Sequence, residues 1–274
     1  MWQSSNPALA NGDAFEQFYG KGMSGSIANV ATVQGVINKT AILTGIAIAA
    51  GAVGYWALST QQIGRTGMLI ANITALVVVL GVYFKVYSNP KSAVYLSPVY
   101  AVVEGGLLGM FTALAEYLLA AQGIKIAGGV ALQAFIITGS ALAAMLTLYS
   151  TGVLRATDTF KRVIGTATLA IGITYLISFV LSLFGVSVPF ISVFSAGTSN
   201  GSAAWIGLGI NVFILAIASL TLIIDFDMIE KQIRGEAPKY MEWYCGFALL
   251  VTLAWIYYEA VKLVLRVASL LKDR

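Results

Sequence analysis

The stretch Ala203–Asp225, AAWIGLGINVFILAIASLTLIID, carries no ionisable side chain before its last residue. At about 1.5 Å per residue it would form a helix of roughly 34 Å. That is long enough to cross a hydrocarbon core of about 30 Å. Its apolar residues run continuously instead of alternating, which favours a spanning helix over a barrel strand. Six further stretches read the same way: Thr40–Thr60, Met68–Val86, Ala93–Tyr117, Gly128–Leu148, Val163–Gly185 and Tyr244–Arg266.

Composition agrees. Of 274 residues, 58% are hydrophobic and 10% charged, and the mean hydropathy is +0.85. A soluble domain carries about 25% charged residues. The expected fold is therefore an all-α polytopic membrane protein with seven transmembrane helices. The same numbers exclude a disordered chain and a nucleic-acid module, so the formal charge of +4 is not a nucleic-acid signal. Residues 1–39 read as a polar N-terminal segment whose last part, Met23–Asn38, would lie along the membrane surface. Residues 40–266 form the seven-helix domain, and residues 267–274 a short basic tail.

The basic residues predict an orientation. Placed on the side of the N-terminus are Lys85, Lys91, Arg155, Lys161, Arg162, Lys231, Arg234 and Lys239, against Arg65 and Lys125 on the other. The positive-inside rule puts the richer side, with the N-terminus, in the cytoplasm. Lys262, Arg266, Lys272 and Arg274 run against that count. Aromatic residues near the span ends, among them Trp56, Tyr87, Trp205 and Trp243, fit interfacial belts. Gly45, Ala49, Gly51 and Gly54 in the first span, with Gly105, Gly106 and Gly109 in the third, suit close helix packing.

The chain has no histidine and a single cysteine, Cys245. An imidazole base and an internal disulfide are excluded, and any cation or proton chemistry falls to carboxylates. Acids within spanning helices are costly, so they mark functional positions or buried pairs. Glu104 lies roughly 14 Å into the third span, near the midplane, with no basic residue close in sequence. Glu116 sits toward the far end of that span, where it would reach water. Asp225 and Asp227 stand two residues apart at the end of the sixth span. At about 200° apart on a helix they cannot share one partner. Glu259 in the seventh span has Lys262 at i+3, and a local ion pair near the outer interface explains it most simply. Taken together, Glu116, Glu104 and the aspartates form a vertical series of the kind that attracts and passes cations. An intramembrane aspartyl protease fits poorly, because its two facing aspartates come from separate helices.

Several segments resemble the transmembrane Bax inhibitor motif family, in particular its bacterial branch. Ala134-Phe-Ile-Ile-Thr138-Gly139 matches the family's A-x-x-x-T-[AG] signature, and the basic loop Arg155–Arg162 follows it. Asp225-Phe-Asp-Met-Ile229 resembles the family's pattern at the end of the sixth helix. Asn38-Lys-Thr-Ala, Tyr100-Ala-Val-Val-Glu-Gly and Ala237-Pro-Lys-Tyr-Met-Glu-Trp look like one bacterial subgroup. The likeness covers about Val36 to Arg266.

The resemblance implies a last helix that is central and wrapped by the other six. It also implies a pH-sensitive calcium leak held shut by two aspartates on the last two helices. Asp225, with Asp227 as rival, matches the first aspartate; Thr252 stands where the second is expected, seven residues before Glu259. Gly109-Met-Phe replaces the family's Gly-Pro element.

The expected function is thus a pH-sensitive calcium or cation leak channel, not an enzyme, gated by protonation of intramembrane carboxylates. Asp225, Asp227, Thr252 and Glu259 would form the sensor or gate, and Glu104 and Glu116 the ion pathway. Asp225 and Glu104 are the candidate calcium ligands. No cofactor is expected apart from calcium as permeant or bound ion. Its partners would be the lipid bilayer and cations, and its location the bacterial inner (plasma) membrane. The competing expectation is a non-conducting regulator that binds other membrane proteins.

Overall fold

The computed structural model describes residues 30–62, 64–186, 188 and 202–272, leaving aside the side chains of residues 65, 66, 68 and 69. Among them are seven helices long and apolar enough to cross a membrane. They are α1 (Val33–Ser59), α2 (Arg65–Ser88), α3 (Ala93–Ala121), α4 (Gly129–Ser150), α5 (Asp158–Leu183), α6 (Ser202–Arg234) and α7 (Met241–Lys272). A short 3₁₀ turn, Pro90–Ser92, joins α2 to α3. Thr32 and Thr157 accept the Gly35 and Phe160 amides and so cap the starts of α1 and α5.

Several helices outrun the apolar stretches that announce them. α1 begins at Val33, and α6 continues nine residues past Asp225. Hydropathy registers only the part of a helix that sits in hydrocarbon, whereas backbone hydrogen bonding continues through the polar ends. Val33–Asn38 are therefore the first turns of α1, while residues 1–29 lie outside the described residues. Residues 267–272 close α7 instead of forming a separate tail, and residues 273 and 274 lie outside the described residues.

α7 is the most buried helix. Two-thirds (67%) of its most apolar window is covered by protein, against 6–17% for α1, α2, α4 and α5. It packs against α1, α3, α4 and α6, while α2 rests mainly on α3 and α5 mainly on α6. One apolar cluster joins Leu119, Val130 and Ala134 to Val261 and Leu265; another joins Leu43, Val86 and Tyr100 to Phe247 and Leu250.

The α1–α3 seam is built from glycine. A Cβ on Gly105 would collide with the Ala47 carbonyl, and one on Gly109 with the carbonyl of Gly51. The two backbones touch, as the small residues of those spans predict. Gly45 differs: a Cβ there would meet nothing within 4 Å.

Candidate functional site

The two aspartates of α6 point to different places, as their two-residue spacing requires. Asp225 faces α7, where the buried Thr252 hydroxyl donates to its Oδ2 at 2.6 Å. Asp227 turns outward and pairs with Lys161 of α5 at 2.5 Å and Lys231 at 2.9 Å. Because α6 runs on to Arg234, neither lies at a helix end, and the unfavourable end of the helix dipole does not act on them. One turn further, Glu230 pairs with Arg234 at 2.5 Å and accepts the Tyr149 hydroxyl.

Glu259 is fully enclosed, and so is its partner Lys262, whose Nζ lies 3.0 Å from Oε2 and 3.1 Å from Oε1. Sequence spacing identifies this pair, and the structure encloses it among α5, α6 and α7. Two residues the sequence reading did not single out complete its shell. Tyr175 of α5 donates to Glu259 and accepts from Lys262 at 2.9 Å. Asn211 of α6 donates to Oε2 at 2.7 Å. An amide in the middle of the most apolar stretch was the available signal for Asn211; nothing in the sequence distinguishes Tyr175 from the other tyrosines. The Lys262 ammonium also lies 5.0 Å and 5.1 Å from the Tyr175 and Tyr258 ring centres, within cation–π range. With these partners Glu259 belongs to α5–α6–α7 packing, and it shares no bonding partner with Asp225 among the described residues.

Glu104 and Glu116 have a different setting. Both line a cavity of about 610 Å³ between α1, α3, α4 and α7. Glu116, which is half-buried, accepts the Tyr55 hydroxyl at 2.5 Å and the Val130 amide at 2.7 Å. It thereby satisfies an amide in the first turn of α4 and fastens that turn to α1. Glu104, on the other hand, has no hydrogen bond or ion pair among the described residues, and it lines the cavity near the middle of α3.

A second space of about 1450 Å³, lined by α1, α4, α6 and α7, continues the first. The two share Thr44, Ile48, Leu142 and Leu253 as lining residues. α1 and α4 do not pack along one another, so this pair of cavities forms a crevice open to the side of the bundle.

The acids thus fall into two groups. Glu116, Glu104, Asp227 and Glu230 border the crevice, whereas Asp225 and Glu259 border neither cavity. Among the described residues, no three acid, cysteine or histidine side chains come together as a metal site would require. Asp225 and Glu104 consequently stand as separate groups.

A family model described as Bax inhibitor 1 like matches residues 6–269 of the chain. No curated protein and no solved structure matches it.

Proposed function

This chain belongs to the Bax inhibitor 1 like family, and from that premise we propose that it is a pH-sensitive leak for calcium or other cations, gated by protonation of carboxylates inside the bundle. The observation that carries the reading is Glu104, an acid at mid-helix that borders a cavity and has no partner among the described residues. An ion crossing the low-dielectric centre of a bilayer needs fixed charge or dipoles to replace its water. Ionised Glu104 supplies that charge, and protonated Glu104 withdraws it. Glu116 would extend the path toward one end of the crevice, and Asp227 with Glu230 toward the other. Asp225 and Thr252 then act as a latch between α6 and α7, beside the path and not in it.

Placement in a bacterial inner membrane with the N-terminus cytoplasmic belongs to the same reading. Lys262 and Arg266, which run against the charge count, are buried within α7. They therefore do not act as loop charges, and the positive-inside balance is clearer than the bare sequence makes it.

The test is calcium flux into proteoliposomes from about pH 4 to pH 8, which runs from the ordinary titration of carboxyl groups into the range that buried ones reach. The wild type should leak calcium, faster as Glu104 becomes ionised. Glu104→Gln should flatten that pH dependence. Flux no greater than that of empty liposomes, or an unchanged profile in Glu104→Gln, would refute conduction through this site.

A second reading, a regulator that binds membrane proteins without conducting, draws on Asp225 and Glu259. Both are already satisfied, by Thr252 and by Lys262 with its neighbours, as purely structural acids would be. Its signature is a stoichiometric partner on purification, with Asp225→Asn and Glu104→Gln both without effect.

A further inference from the structure

We propose that the wider half of the crevice is a binding groove for one anionic phospholipid, with an acyl chain between α1 and α4 and its phosphate at Arg155. The walls of this half are apolar: Val36 and Ile37 on α1, Leu142 and Leu146 on α4, and Leu249 and Leu253 on α7. Ile37 and Leu146 are half exposed, at 52% and 50%, because α1 and α4 do not close on each other. The groove is therefore entered sideways, from within the leaflet.

Its length fits that origin. The lining residues of α1 run from Val33 to Ile48, a rise of about 22 Å at 1.5 Å per residue. Half of a whole bilayer, headgroups included, is about 20–22 Å. The groove thus spans one leaflet, from headgroup level to the midplane.

The mouth supplies the complementary charge. It is bordered by Arg155 and Thr157 in the α4–α5 connection and by Tyr149 at the end of α4. Around it, Arg155, Lys161, Lys231 and Arg234 stand against Asp158, Asp227 and Glu230, an excess of one positive charge. Asp227 and Glu230 are engaged by Lys161, Lys231 and Arg234. Arg155 has no ion pair or side-chain hydrogen bond among the described residues, although it lines the groove. A guanidinium left open at headgroup depth, above an apolar trough one leaflet deep, matches a phosphate carrying an acyl chain. This inference concerns binding alone and does not depend on conduction; a lipid in the groove would compete with a cation for the Asp227 and Glu230 end of the crevice.

The full chain in nanodiscs of phosphatidylcholine, doped with phosphatidylglycerol bearing a photoreactive acyl chain, provides the test. Labels should concentrate on residues 37–48 and 142–146, above the level on the outward residues Leu169 and Ile173 of α5. Unlabelled phosphatidylglycerol should displace them better than phosphatidylcholine. Arg155→Gln should lower that preference about five-fold, the effect of one basic residue beside an anionic lipid surface. Gly45 lines the groove and has open space around it, so Gly45→Trp should remove the groove labels and spare those on α5. Equal labelling of groove and α5 would overturn the proposal, as would a preference indifferent to Arg155→Gln. Cross-links into the groove from residues 1–29, from a second copy or from another protein, undiminished by added phospholipid, would overturn it too.

Discussion

Replacing Lys262 with Met tests the buried centre of α7 most directly. At 3.0 Å and an effective dielectric constant of about 20, the attraction between Lys262 and Glu259 is about 5 kcal/mol. Removing one member of a buried pair costs about 3–5 kcal/mol, because the other charge stays desolvated. Glu259 would retain Tyr175 and Asn211 as neutral donors and the attraction of Arg266. Lys262→Met should therefore fall at the lower end of that range. Glu259→Gln should fall at the upper end, because it leaves the fully buried Lys262 ammonium without its acid.

The chain carries its own probe for this comparison. Cys245, its single cysteine, is buried on α7, so a thiol-reactive dye reaches it only when the bundle opens. Labelling rates in detergent should rise by about two powers of ten for Lys262→Met and by more for Glu259→Gln, at about 1.4 kcal/mol per factor of ten. Rates within about three-fold of wild type for both variants would refute the reasoning, since the pair would then contribute well under 1 kcal/mol. A larger effect from Lys262→Met than from Glu259→Gln would refute the reasoning that Tyr175 and Asn211 sustain Glu259 once its cation is removed.

Other positions give equally definite expectations. Thr252→Val removes the donor to Asp225 and should cost about 1–3 kcal/mol, read from the same Cys245 labelling, with Thr252→Ser restoring most of it. Gly109→Val drives a side chain into the α1 backbone and should cost about 1–3 kcal/mol; Gly45→Val, in open space, should stay within about 0.5 kcal/mol of wild type in the same thermal-unfolding measurement. Glu116→Ala removes an acceptor from the start of α4 and should cost about 1 kcal/mol. Hydrogen exchange of the amides at residues 129–133 should accelerate in that variant.

Seven spans were legible because about 20 consecutive apolar residues admit few alternatives. The glycine contact of α1 with α3 was legible from small residues in register, and Lys262 as the partner of Glu259 from helical spacing. Both depend on local periodicity, which a sequence carries directly. The two directions taken by Asp225 and Asp227 follow from the same geometry. What faces each of them does not, because it depends on how helices distant in the chain are rotated and shifted against each other. Tyr175 and Asn211 lie 84 and 48 residues from Glu259, and no spacing rule connects them. The enclosure of Glu259 and Lys262 is not legible for a related reason. Position along a helix fixes height in the membrane, whereas enclosure depends on which neighbours surround that height. Glu116 shows the same limit: the acid was visible, but its task of holding the Val130 amide arises only once α3 and α4 are folded back on each other.

The glycine seam has a mechanical consequence. With their backbones in contact, α1 and α3 behave as a single stiff panel that cannot flex to widen the space beside it. On the other flank Glu116 grips Val130 and Tyr55 together, and α4 lies against α6 and α7. The crevice is thus framed by a rigid slab on one side and, on the other, by a helix riveted to that slab at a single corner.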